Sequence, residues 1–197
     1  MRRLILISGA VAVAASACLG SNSSLGGSSR APVVGGTAGP AAPTPQSVAE
    51  ALRACTVSTP GGPTPPAGLP PAPYIGNGRV WVGLWPHGLV IVPRSNIGRD
   101  GELRMKFMWW RGSTARGLLH ISGNDVASGA PLRARSRGYG LAGFNASSIF
   151  FPGPGCYRVT GRAGGARLTF VTLVRTCSAL PQLPPSWRQR YSTWCNS

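Results

Sequence analysis

Acidic side chains are almost missing from this sequence of 197 residues: Glu50, Asp100, Glu102 and Asp125 stand against 20 Lys and Arg. Lysine is as scarce, with Lys106 alone, so the positive charge is carried by arginine. Histidine occurs twice, at His87 and His120. These shortages narrow the chemistry, because acid–base catalysis needs positioned carboxylates or imidazoles. His120, Asp125 and Ser122 are a set from which a catalytic triad can be drawn, since triads are recognised by geometry and not by order. Nothing like a nucleophile elbow accompanies them, and no enzyme is expected. Copper's soft ligands are available in His87, His120, Met105 and Met108. The histidines show neither His-x-His nor His-x3-His spacing, and Met105 and Met108 fall on opposite faces of a strand. Neither a metal nor a cofactor is expected. Long apolar runs are also lacking: Leu4 to Ala15 is roughly a dozen residues, short of the ~20 that span a bilayer.

That short run is instead a signal sequence. Arg2 and Arg3 form its positive end, and Ala15-Ser16-Ala17 supplies the small residues of a cleavage site, so residues 1–17 are expected to be removed. Cys18 follows directly. The arrangement resembles a bacterial lipobox, in which the Cys thiol receives a lipid, although Ala15 stands where a Leu is usual. The alternative is plain Ala-x-Ala cleavage and secretion. Lipidation of Cys18 leaves Cys55, Cys156, Cys177 and Cys195, an even number for disulfides in an oxidising compartment. Residues 18–45 are Ser/Gly-rich and then Pro/Ala-rich, a tether without periodicity.

The formal charge of +16 draws such a surface to anionic lipids or wall polymers. Its arginines are scattered instead of forming a 5–8-residue basic run. Nucleic acid is not an expected partner, and a monomer is.

From 46 to 73 the chain reads as a short helix, QSVAEALRAC, with Val48, Ala51, Leu52 and Cys55 on one face. A Pro-rich lead-in unsuited to a helix or central strand follows. From Tyr74 to Cys177 short strand candidates recur about every ten residues, with turn residues between them: 79–85, 88–93, 102–110, 117–122, 131–136, 147–152, 156–161 and 166–174. That spacing is the mark of an antiparallel sandwich or barrel, so the fold class is all-β. Gly164-Gly165 supplies a two-residue hairpin turn, which sets Arg162 opposite Arg167, Val159 opposite Phe170 and Cys156 opposite Leu173. In that register Cys177 lies four residues past the position facing Cys156, about 13 Å along the strand and beyond the ~7 Å that a disulfide allows. Among three connectivities, Cys177–Cys195 with Cys55–Cys156 is preferred. Residues 178–197 are read as a proline-containing tail.

The stretches IGNGRVWVGLWPHG (75–88), MKFMWWR (105–111) and GYGLAGFNASSIFFPGPGCYRVTGRAGGARLTFV (138–171) resemble a bacterial extracytoplasmic domain family. Its best-matched part is F-P-x-x-G-C-aromatic-x-V-T-G, where many relatives have Trp in place of Tyr157. The resemblance implies a single immunoglobulin-like sandwich of about seven to eight strands and an envelope location, with no catalytic residue to transfer. Gly155-Cys156 is also similar to the nucleophile motif of L,D-transpeptidases. Those carry a His before the Gly to deprotonate the thiol, and Pro154 stands there, so Cys156 is read as a disulfide cysteine.

Aromatic residues are in surplus. Trp81 and Trp85 share one face of their strand while Val80, Val82 and Leu84 take the other. Next come Leu103, Met105, Phe107 and Trp109 opposite Arg104, Lys106, Met108 and Trp110. One face of a sandwich sheet is ordinarily wet. Trp81, Trp85 and Trp110 beside Arg79, Arg104 and Arg111 are therefore candidates to bind a glycan or anionic polymer, by stacking and by pairing with phosphates or carboxylates. The bland alternative makes Trp81 or Trp109 a core residue and places the others under the terminal extensions. The expectation is a non-enzymatic recognition protein held by lipid on the extracytoplasmic face of the membrane, its ligand an anionic envelope polymer, a glycan or a protein; the alternatives are a small-ligand or copper-binding envelope protein and, after it, a wall-modifying enzyme.

Overall fold

The computed structural model describes residues 47–69, 72–137 and 140–196. The expected signal peptide, Cys18 and the expected 18–45 tether lie outside the described residues.

Ser47 opens helix α1 (Val48–Cys55) with a capping box: its hydroxyl accepts from the Glu50 amide, and the Glu50 carboxylate accepts from the Ser47 amide. Nine strands follow: β1 (Tyr74–Gly76), β2 (Val80–Gly83), β3 (Leu89–Val92), β4 (Leu103–Arg111), β5 (His120–Asp125), β6 (Arg133–Ser136), β7 (Gly143–Phe151), β8 (Gly155–Ala163) and β9 (Ala166–Thr176). Helix α2 (Pro185–Cys195) closes the chain. The strands form two sheets, in the orders β1-β2-β4-β7-β6 and β3-β9-β8-β5. From β2 onward this is the ABED-over-CFG arrangement of an immunoglobulin-like sandwich, with β3 added beside the last strand. The β8–β9 hairpin pairs Cys156 with Leu173, Val159 with Phe170 and Arg162 with Arg167, as its Gly-Gly turn requires.

Several expectations need correction. Among the described residues there are nine strands, against the expected seven to eight or so; the additional one, β1, is a three-residue strip pairing along β2. The sandwich is not wholly antiparallel, because β3 runs parallel to β9. After Gly83 the chain leaves the first sheet and joins the second at Leu89, through a tight turn in which His87 and Gly88 take φ of 56° and 66°. The proline-containing tail carries a helix: Pro184 is its N-cap and Pro185 the first of its 11 residues, as proline can be at a first turn.

The core lies between the sheets around Phe107, Trp109, Phe151, Tyr157 and Phe170. Gly161 makes room for Trp109, since a Cβ there would fall 2.4 Å from the indole. The Tyr157 hydroxyl donates to the Gly153 carbonyl at 2.8 Å, the tyrosine corner of this fold type. A second apolar cluster forms where α1 and α2 cover Leu89, Ile91 and Leu173 on the outer face of the four-stranded sheet. Strand β3 is therefore buried on both faces, and β2, in the other sheet, is buried on both faces with the Pro-rich lead-in over Trp81, which is why neither shows a polar alternation. Cys55 pairs with Cys156 and Cys177 with Cys195, at Cα separations of 5.4 and 5.7 Å.

Candidate functional site: a basic and aromatic sheet face

Strict alternation in β4 sends Leu103, Met105, Phe107 and Trp109 inward and leaves Arg104, Lys106 and Met108 exposed. Pairing then fixes what stands beside each outward residue. Arg104 faces Phe150, which faces Arg133; Lys106 faces Ser148, which faces Arg135. Nearer the other end of β4, Trp110 lies between Trp81 and Phe144. The outer face of the five-stranded sheet thus has a basic half and an aromatic half, with Met108 and Ala146 between them.

Phe150 sits at the centre of the basic half. The guanidinium carbons of Arg133 and Arg135 lie 5.4 and 5.6 Å from its ring centroid, within cation–π range. Arg133 also forms the ion pair with Glu102, its Nε donating to the carboxylate at 2.8 Å. That pairing raises the Arg133 pKa, chiefly through the hydrogen bond. The Arg104 guanidinium reaches the Asn96 side-chain oxygen at 3.5 Å. Among the described residues no carboxylate pairs with Arg104, Lys106, Arg135 or Arg137, and with Ser148 and Phe150 they line an open cleft of about 370 Å³. Cations recur ~7 Å apart along each strand and ~10 Å apart across every second one. Such a face can hold repeated phosphates, sulfates or carboxylates while a sugar ring lies on Phe150 or on the exposed edges of Met108 and Phe144.

The six residues proposed from sequence do not form one site. Arg104 and Trp110 lie on this face. Trp81 shares its side of the sheet but is 5 % exposed, because the Pro-rich lead-in covers it and the Pro63 carbonyl accepts its indole N–H at 3.0 Å. Trp85 is on the crossover to the second sheet, 5.7 Å from the Trp194 ring of α2. Arg111 is fully buried, and burial lowers its pKa. Its guanidinium donates to the carbonyls of Gly117 and Gly140. Arg79 donates to the Thr114 and Gly164 carbonyls at 2.6 and 2.9 Å. Trp81 and Arg111 are thus corrected from ligand contacts to buried structural residues, and Arg79 from a ligand contact to a brace between loops.

Lys106, Arg133, Arg135 and Phe150 were missed. Their signal was available as alternation in β4 and in RARS, but pairing across β7 can be read only from the fold. His120 and Asp125 stand at opposite ends of β5, and the Asp125 carboxylate accepts from the Ala127 and Ser128 amides; no triad geometry forms. Among the described residues no group of three His, Cys, Asp or Glu side chains is placed to hold a metal.

The sequence matches no family model and no curated protein. Solved structures that it is similar to include the crystal structure of the Lin-41 filamin domain, at 12% identity and a TM-score of 0.36 over 49% of this chain and 91% of that one. What strand order and register establish is the fold alone: an all-β, immunoglobulin-like sandwich carrying two helices and two disulfides.

Proposed function

We propose that this protein is a non-enzymatic component of the cell envelope, tethered by lipid at Cys18, whose sandwich binds an anionic envelope polymer or glycan on the outer face of the five-stranded sheet. The observation that carries this reading is the row order Arg104–Phe150–Arg133 beside Lys106–Ser148–Arg135, cations around an aromatic ring with one carboxylate among them. Two disulfides support an oxidising compartment, and the Ser/Gly segment after Cys18 supports a tether.

The test is retention of the exported protein on anionic wall polymer. Reversing Arg104, Lys106 and Arg135 to Glu lowers retention at least tenfold, as three lost ion contacts of ~0.5 kcal/mol each predict. Moderate salt weakens the unsubstituted protein in the same direction. Equal retention of the triple variant overturns the assignment. For the anchor, Cys18→Ala turns salt-resistant membrane association into association that salt washes away; persistence through the wash overturns it.

A further inference from the structure

The opposite hydrogen-bonding sheet and the loops at one end of the sandwich carry a second surface, built from other residues. The β4–β5 loop, the chain at 140–142 before β7 and the β8–β9 turn all lie at this end. Three ties brace them. Arg111 joins Gly117 to Gly140, the Gly117 amide donates to the Leu141 carbonyl at 2.9 Å, and Arg79 joins Thr114 to Gly164. On this braced frame stand the two most exposed large apolar side chains among the described residues, Leu118 at 59% and Leu141 at 53%.

Basic side chains stand beside Leu118. His120 faces Arg162, and Arg162 faces Arg167, which places three basic side chains side by side across three strands. Like charges directly opposite one another destabilise a sheet. With Arg116 and Leu118 they line an open groove of about 690 Å³. None of the four acidic residues offsets them. Glu50 caps α1, Asp100 and Glu102 lie before β4 at its far end, and Asp125 is held by its own turn.

We infer that this loop end docks on an anionic bilayer, with Leu118 and Leu141 entering the headgroup–acyl boundary and Arg116, Arg162 and Arg167 meeting lipid phosphates. Charge complementarity alone would suit any anion. The leucines decide the occupant, because a hydrated polymer or a free phosphate offers nothing to two apolar tips, whereas an interface takes apolar and basic groups together. The braces matter too, since loops already fixed lose little freedom on docking.

The inference is independent of the polymer-binding face and is tested apart from it. The exported full chain carrying Cys18→Ala is floated with phosphatidylglycerol-containing vesicles and with pure phosphatidylcholine vesicles. Binding to the anionic vesicles is expected. The pair L118S/L141S and the pair R162E/R167E each lower that binding at least tenfold with thermal unfolding unchanged, while the Arg104/Lys106/Arg135 variant binds as before. Absence of vesicle binding overturns the inference. So does full binding by L118S/L141S, which marks plain charge adsorption, or competition by millimolar inorganic phosphate, which marks an anion pocket. Should either pair unfold, the single substitutions L141S and R167E serve with a threefold threshold.

Discussion

At the residue scale, glycine and tyrosine do the most specific work. Gly161 faces the Trp109 indole so closely that an added methyl overlaps it. Trp109 is buried against Phe170 and cannot retreat without disturbing the core. Gly161→Ala is therefore expected to cost about 1–3 kcal/mol, measured by denaturant unfolding; an unchanged midpoint contradicts the packing described. Tyr191 predicts a pH effect. Its hydroxyl lies against the Pro86 and Leu89 carbonyls at 3.0 and 2.8 Å, and burial pushes its pKa well above the ordinary tyrosine value of 10.0. The folded state holds this proton more tightly than the unfolded chain. Its contribution is therefore complete below about pH 10 and is lost as pH rises further. Denaturation between pH 8 and 11 should show that decline, and Tyr191→Phe should make it shallower. The arginines teach a related lesson. Arg79, Arg104 and Arg111 look alike in sequence, yet two of them brace loops and one faces solvent. An arginine's role depends on which carbonyls fold within its reach.

Elements show where local reading succeeds. The run VAEALRAC has a capping box and an apolar face, and it is a helix. Strand β4 alternates cleanly, and it is a strand. Helix α2 was missed because its prolines look like breakers, although Trp187, Tyr191 and Trp194 follow an i, i+4, i+7 pattern. Those three residues grip the crossover between β2 and β3. Trp187 stacks on His87 with ring centroids 3.6 Å apart, and Trp194 meets Trp85. The Cys177–Cys195 bond closes a separation of 18 residues around this helix. Its removal by C177S/C195S should cost about 3 kcal/mol on loop-closure grounds. It should also expose the peptide bonds of 183–195 to limited proteolysis while the sandwich survives. A tail as resistant as before would show that packing alone holds α2. Strand β3 was placed correctly but not its direction, because partner choice for LVIV depends on where the turn at 86–88 delivers the chain.

For the whole molecule, charge is the dominant fact. Part of its +16 stands on a sheet face and part at a loop end, so polymer retention and vesicle binding should both weaken with salt and yet respond to different substitutions. Much of the plan was legible beforehand, including the all-β class, the β8–β9 register and the cysteine pairing that the structure adopts. These depend on period-two alternation, a Gly-Gly turn and distances along one strand, which are local quantities. The binding face was legible only in part. Arg104 and Trp110 were identified from β4, whereas Phe150, Arg133 and Arg135 join them through pairing across β7. Burial of Trp81 beneath the proline segment and of Arg111 beneath two loops also arises between segments far apart in the chain. The sequence by itself determined which residues alternate, turn and cross-link, because those properties belong to neighbours. Only the tertiary structure decided which outward side chains meet solvent, because covering a face takes a second segment whose position no local pattern contains.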